Sequence, residues 1–114
     1  MIDLNELCKV TLANANLRNR NGGHIKTDTR SMLKHTATEV VEATEAYTRY
    51  EEDACDPLAT NSDEQNIKLF ASELADIICC VLIIAGKEKI DIEQAIMDCI
   101  EKNRKRAEGI GDKL

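Results

Sequence analysis

Three short helix-start motifs, each followed by apolar residues at helical spacing, constrain the fold of this chain more than any other feature. In such a capping box, an N-cap side chain and a Glu or Gln side chain three positions later satisfy each other's backbone N–H groups. The boxes begin at Asp3, Ser62 and Asp91. The sequence therefore predicts that helices start at these three points.

The composition and the positions of helix-breaking residues extend this prediction to the whole chain. One proline and five glycines among 114 residues leave few helix breakers. The first helix is expected to fade in the polar stretch 19–23, a second to run from 27–29 to about Asp53, and the third to end at Ala85 with Gly86 as its cap. Together with the helix that starts at Asp91, this predicts one all-α domain over residues 1–114, arranged as a four-helix bundle.

The third helix carries the most apolar run of the chain, from Leu74 to Gly86. Beyond Ile77 it is apolar nearly all round, which is typical of a central helix or of one that also contacts a second subunit. Asp76 lies within this run, so we expect its carboxylate to be buried. A buried carboxylate is costly unless a positive charge meets it, and a bound divalent cation would supply that charge.

Charge and cysteine content narrow the function classes. The formal net charge of −6 makes the chain a poor non-specific binder of nucleic acid. The apolar run is too short for a membrane span and contains an acid. The five cysteines are odd in number, no pair has C-x-x-C spacing, and no signal peptide is evident, which favours a soluble cytoplasmic protein.

Two acidic pairs are the candidate metal ligands. Glu39 and Glu42 lie three residues apart, as do Glu73 and Asp76, so each pair shares one helix face. If their helices pack antiparallel, four carboxylates converge, and all-oxygen ligation suits Mg²⁺, with Mn²⁺ as an alternative. The competing interpretation is a solvated acidic face, with the basic residues 102–106 complementing a helix dipole.

A di-iron or di-manganese bundle is the principal metal-binding rival. That site requires Glu-x-x-His on two helices. Neither His24 nor His35 follows an acid by three residues, so the pattern disfavours it. His35 lies one turn before Glu39 and could line the site, although the sequence favours an ordinary exposed or hydrogen-bonded histidine.

The ordered set of motifs resembles the MazG-like nucleoside triphosphate pyrophosphohydrolases, the all-α NTP pyrophosphatases. The resemblance spans roughly residues 30–107, and the acid Asp76 within an apolar helix adds to its specificity. It is carried by Glu39-x-x-Glu42, by Glu73-x-x-Asp76 and by Lys102-Asn103-x-x-Arg106.

The resemblance implies a Mg²⁺-dependent hydrolase of acid anhydrides that splits a (deoxy)nucleoside triphosphate into the monophosphate and pyrophosphate, as in sanitation of the nucleotide pool. It implies that the four acids are metal ligands and catalytic residues. Lys102, Asn103 and Arg106 would bind the substrate phosphates. Many members carry another acid where this chain has Thr38, which bears on the number of metal ions and on activity.

The third helix has more apolar surface than one protomer can cover, which predicts a homodimer or a dimer of dimers, and the resemblance implies the same. The first helix would then offer Asn14, Asn16 and Arg18 as contacts for the base. The alternative hypothesis is a non-enzymatic helical oligomerisation or interaction module. In that case the acids hold a structural cation or none, and the apolar helix docks a partner.

Overall fold

The computed structural model of the protein describes residues 2–23 and 26–109, and this part consists of four α-helices without a β-strand. The all-α prediction is therefore confirmed for the described residues. His24 lies outside them, and the prediction of one domain over residues 1–114 stays a prediction. The helices are α1 (Leu4–Arg20), α2 (Thr29–Ala54), α3 (Asp63–Lys87) and α4 (Ile92–Ala107).

The first and last helices begin where the sequence predicts. The Asp3 carboxylate accepts a hydrogen bond from the backbone N–H of Glu6 at 3.1 Å. At the start of α4, the Asp91 carboxylate accepts one from the backbone N–H of Gln94, also at 3.1 Å. Each bond satisfies one of the N–H groups that a helix leaves unpaired in its first turn, but the reciprocal bond of the predicted capping box is not formed at Asp3 or Asp91.

The two long helices also begin at N-cap residues. At the start of α3 both halves of the box form, because the Gln65 N–H donates to Ser62 Oγ at 3.2 Å and the Ser62 N–H donates to Gln65 Oε1 at 2.7 Å. The start of α2 is fixed by Asp28, which accepts from the Ser31 N–H at 3.1 Å. The sequence placed this start at residues 27–29, and the observed first residue falls within that range.

The α2–α3 pair is the most extensive helix contact in the fold. The two helices are antiparallel, because the Thr29 hydroxyl at the start of α2 donates to the Glu88 carboxylate just beyond the end of α3. Further along, the rings of Tyr47 and Phe70 lie 5.2 Å apart at a tilt of 57°. This arrangement is the one required for acids on both helices to meet.

A buried amide closes the loop end of this helix pair. Asn66 is 1% exposed, and its Nδ2 donates to the Asp53 carboxylate at 2.8 Å. Its Oδ1 accepts from Asn61 Nδ2 at 3.2 Å. A buried amide with both ends satisfied favours one register over others, because a slip would leave polar atoms unpaired.

Helix α1 crosses the second half of α3, and the cluster of buried apolar residues lies at this crossing. Cys8 of α1 packs against Leu82 and Ala85 of α3. A Cβ built on Gly86 would lie 3.0 Å from the Cys8 backbone oxygen, so the two backbones approach closely there. The absence of a side chain at Gly86 permits this approach.

The expectation that Gly86 caps α3 is wrong, because the helix continues to Lys87. The left-handed residue that ends it is Lys89, with φ 57°. Its N–H donates to the Gly86 carbonyl at 3.4 Å, and the Ile90 N–H donates to the Ala85 carbonyl at 2.9 Å. These two bonds form a Schellman motif around a lysine, where glycine is the usual residue.

Helix α4 is tied to α1 at its first turn. The Leu4 N–H donates to Glu93 Oε1 at 2.7 Å, and Asn5 Nδ2 donates to Asp91 Oδ1 at 2.9 Å. Beyond this point α4 has no extensive contact with α2 or α3 and no buried residue. Four helices are present as predicted, but beyond its first turn α4 does not pack extensively against the α2–α3 pair.

Large apolar side chains remain exposed on several helices. On α4 they include Ile96, Ile100 and Met97, which is 61% exposed, and on α3 they include Leu74 and Ile78. Helix α3 is also the one described helix that is long and apolar enough to cross a membrane, by length and composition alone. The expectation that the apolar run is too short for a membrane span was based on the run from Leu74 to Gly86 alone. The whole helix, Asp63–Lys87, is longer than that run. A folded chain seldom leaves this much apolar surface without a covering partner.

Candidate metal centre

Three carboxylates from two helices meet at the middle of the α2–α3 pair. Glu39 and Glu42 follow each other by one turn on α2, and Glu73 faces them from α3. One oxygen from each of the three lies within 4.8 Å of the others. The prediction that acids of these helices converge in space is thus observed for three of the four residues.

Glu39 is the innermost member of this cluster. It is 8% exposed, and its Oε1 lies 3.1 Å from His35 Nε2, one turn earlier on α2. Its other oxygen, Oε2, is buried and has no hydrogen-bond partner among the described residues. The same is true of Oε2 of Glu73. Such unsatisfied buried oxygens are rare in native proteins and call for an explanation.

The electrostatics of the cluster oppose ionisation. Burial raises the pKa of Glu39, and the neighbouring Glu42 and Asp76 raise it further, while His35 works in the opposite direction. A carboxylate that is buried beside other carboxylates is stabilised either by a proton or by a cation. Without either, the cluster repels itself.

The burial of Asp76 differs from the sequence-based expectation. The prediction that this carboxylate is buried is wrong for the single chain, where Asp76 is exposed. The apolar sequence around it predicts burial, but α1 leaves a cavity over this turn of α3. Asp76 is not one of the three clustered acids. It does line the same cavity as Glu39, and its charge acts on that residue.

This cavity, of about 440 Å³, lies between α1, α2 and α3. Its size falls in the range of about 300–1,000 Å³ that is typical of small-molecule sites. The lining combines acids, two basic side chains and apolar or thiol groups, namely Arg18, Met32, His35, Glu39, Asp76, Cys79, Cys80 and Ile83.

The donor set fits a hard divalent cation. Carboxylate oxygens are the ligands that Mg²⁺ and Mn²⁺ prefer, and the cluster offers one from each of three residues within 4.8 Å of one another. A cation there would also bring a positive charge to the two buried oxygens without partners. The residues present thus suit a divalent metal centre.

The predicted phosphate-binding residues lie elsewhere. Lys102, Asn103 and Arg106 belong to α4, which packs on α1 rather than on the helices that carry the acids. No hydrogen bond or ion pair between described residues connects the three with the acidic cluster. Arg106 nevertheless has a buried Nε without a partner in the described structure. Within one chain the basic and acidic motifs are therefore not brought together.

Two residues of the cavity wall, His35 and Arg18, were harder to assign to the site from the sequence than the acids. The sequence favours an exposed or hydrogen-bonded histidine at position 35 over one that lines the site; His35 is exposed, contacts Glu39 one turn later and also lines the cavity. Arg18 was considered for the base, and the structure places it in the wall with Asp76. Asn14 and Asn16 are both exposed, and Asn14 also lines an adjoining cavity between α1 and α3.

A protein-family model matches most of the chain. Residues 27–110 match the family model described as the MazG nucleotide pyrophosphohydrolase domain. No curated protein and no solved structure gives a significant match. The matched segment covers well over half of the chain and includes the acids of α2 and α3 as well as the basic turn of α4. The chain therefore belongs to the MazG nucleotide pyrophosphohydrolase family.

Proposed function

We propose that this protein is a Mg²⁺-dependent pyrophosphohydrolase of (deoxy)nucleoside triphosphates. Water adds to the α-phosphorus, the bond to the bridging oxygen breaks, and the products are the monophosphate, pyrophosphate and a proton. The observation that carries the proposal is the Glu39–Glu42–Glu73 cluster with its two buried oxygens that lack partners. Membership of the family supports the reaction type.

In this proposal Glu39, Glu42 and Glu73 hold the ion, and Mn²⁺ is the alternative to Mg²⁺. When bound, such an ion neutralises phosphate oxygens and lowers the pKa of a coordinated water. Asp76 completes the predicted set from the cavity wall, where its exposed carboxylate is free to hold or orient the attacking water. His35 keeps Glu39 in place through its contact with Oε1.

The proposal also requires self-association. Between α2 and α3 lies a second cavity of about 410 Å³, with a largely apolar lining that includes Val40, Tyr47, Phe70 and Leu74. Together with the uncovered face of α4, it leaves large apolar areas that a second copy of the chain would bury. We expect a homodimer or a dimer of dimers, which light scattering measures directly.

A second copy would also resolve the separation of the two motifs. The basic turn of α4 does not reach the acids of its own chain, so we propose that Lys102, Asn103 and Arg106 bind the phosphates of a nucleotide held by the partner. Mixing inactive Glu73→Gln protein with inactive Arg106→Ala protein tests this. Partial recovery of activity is expected, since some mixed sites would contain both intact motifs. No recovery after subunit exchange would place all these residues in one chain's site.

The cellular setting follows from the same reasoning. The acidic net charge disfavours nucleic acid as a partner, and the acids in the middle of α3 disfavour its insertion in a membrane. We propose a cytoplasmic enzyme that acts on the nucleotide pool. Fractionation of cells that express the chain checks this, and recovery in the membrane fraction would contradict it.

The reaction is tested with a panel of nucleoside triphosphates and deoxynucleoside triphosphates in Mg²⁺, with pyrophosphate release as the readout. We expect turnover that disappears in Asp76→Asn and Glu73→Gln, while circular dichroism shows retained helicity. Glu64→Gln is the matched control, because Glu64 is an exposed acid on α3 that pairs with Lys68. No turnover on any nucleotide, together with no effect of metal on melting temperature, would favour the non-enzymatic helical module.

A further inference from the structure

The cavity between α1, α2 and α3 has walls of opposite charge. Glu39 and Asp76 supply carboxylates from α2 and α3, while Arg18 reaches the same space from the last turn of α1. A smaller cavity of about 220 Å³, which adjoins the first one, is also lined by Arg18 and Asp76. Arg18 therefore lies where two spaces beside the candidate metal centre meet.

The Arg18 guanidinium has no internal partner in the described part of the chain. No hydrogen bond or ion pair joins its side chain to Asp76 or to any other described group. The contrast with Arg104 is clear, because that guanidinium binds Glu101 at 2.7 Å and Glu108 at 2.8 Å. A free guanidinium beside a site for an anionic ligand is available for that ligand.

The loop after α1 restricts the base of this side chain. The Gly23 N–H donates to the Arg18 carbonyl at 2.9 Å. A Cβ on Gly23 would lie 2.8 Å from both Arg18 Cγ and that carbonyl oxygen, so only glycine lets the loop fold this closely over the arginine. Because Gly23 lies against one side of Cγ, fewer side-chain rotamers are open to Arg18.

Chemistry identifies the ligand group. A triphosphate carries most of its negative charge on its β- and γ-phosphates, and a single divalent ion neutralises only part of it. A guanidinium matches two phosphate oxygens at once through parallel N–H donors. Lys102 and Arg106 do not supply this charge within the chain, whereas Arg18 lies in the cavity beside the acids.

We propose that Arg18 binds the pyrophosphate half of the nucleotide, opposite the acids that hold the metal. The inference rests on the proposed function, since it assigns a residue to that function's substrate site. It differs from the sequence expectation, which gave Arg18 a contact with the base.

The test measures binding of inorganic pyrophosphate in Mg²⁺ by calorimetry, together with KM for a deoxynucleoside triphosphate. Arg18→Ala is expected to weaken pyrophosphate binding by about 10- to 100-fold, the usual range for hydrogen bonds to a charged group. KM rises in parallel. Arg18→Lys recovers only part of the affinity, because it keeps the charge but loses the two-pronged geometry.

The matched control is Arg20→Ala, because Arg20 is exposed like Arg18 and lies in the same helical turn but lines neither cavity. It should leave affinity within about twofold of the wild type. Equal pyrophosphate affinity in wild type and Arg18→Ala overturns the assignment of Arg18, even where the enzyme turns over. Arg18-dependent pyrophosphate binding without nucleotide turnover overturns the proposed reaction and retains the phosphate site. Absence of both binding and turnover in the wild type overturns both.

Discussion

Glu39 on α2 and Glu73 on α3 present carboxylate oxygens within 4.8 Å of each other, and each residue also has a buried oxygen without a partner in the described structure. Two helices that could pack through apolar residues alone instead bring like charges together. The arrangement is unfavourable in the metal-free chain and favourable with a cation. Stability and metal binding are therefore expected to be coupled.

The first prediction concerns pH. The raised pKa of Glu39 means that its ionisation is less favourable in the folded than in the unfolded chain. Its contribution to stability is thus full below the ordinary glutamate pKa of about 4.3 and is lost as the pH rises through the higher folded value. In EDTA, Glu39→Gln should become more stable relative to wild type as the pH rises from acid to neutral.

Denaturant unfolding at several pH values measures this difference. Addition of Mg²⁺ at neutral pH should shift the difference in stability between the two proteins in favour of the wild type, because only the wild type regains stability from the ion. A difference between the two proteins that does not change with pH would contradict the electrostatic account of Glu39.

The second prediction concerns the buried amide of Asn66. Asn66→Ala removes the partner of Asp53 and of Asn61, so it should lower the free energy of unfolding by about 1–3 kcal/mol. Urea denaturation followed by circular dichroism gives the value. Asn61→Ala, which leaves the bond to Asp53 intact, should cost less. Equal and negligible effects of both changes would show that the amide does not fix the helix pair.

The third prediction uses the close approach of α1 to α3. Gly86→Ala would gain about 1 kcal/mol in helix propensity if nothing else changed. The new Cβ, 3.0 Å from the Cys8 carbonyl oxygen, should instead push the helices apart and produce net destabilisation. Thermal unfolding decides between the two, since a higher melting temperature would mean that the contact relaxes at little cost.

The fourth prediction compares two lysines that are two residues apart. Lys89 has a left-handed backbone, so Lys89→Gly should stabilise the protein by about 1 kcal/mol. Lys87 is helical, so Lys87→Gly should destabilise it by a similar amount, about 1 kcal/mol. The opposite signs of the two changes in denaturant midpoint are the diagnostic result. The same sign for both would contradict the Schellman end of α3.

Much of the fold is local and could be predicted from the sequence. The capping residues Asp3, Ser62 and Asp91 fix helix starts through bonds that reach only three residues. The ends of helices were harder to predict from the sequence, as Gly86 and Lys89 show. The glycine serves a contact with α1, and the positive φ falls on a lysine, so neither position follows from residue type alone.

The candidate site likewise has features that local spacing predicts and features that depend on how the helices pack. Glu39 and Glu42 share a face by helical spacing, and their meeting with Glu73 follows once the two helices are antiparallel. The exposure of Asp76 depends on where α1 crosses α3, which no local pattern encodes. The position of Arg18 beside it has the same origin. The polar Asn66 stands one turn before Phe70 on the apolar face of α3, and that irregularity was a signal for a buried hydrogen-bond network.

The central claim is that acids from α2 and α3 jointly bind a divalent ion, and a calorimetric titration with Mn²⁺ tests it most directly. Wild type and the Glu64→Gln control should bind alike. Glu73→Gln should bind at least about tenfold more weakly, since even residues that only support metal ligands have effects of that size. Equal binding by all three proteins, or none by the wild type, would contradict the claim.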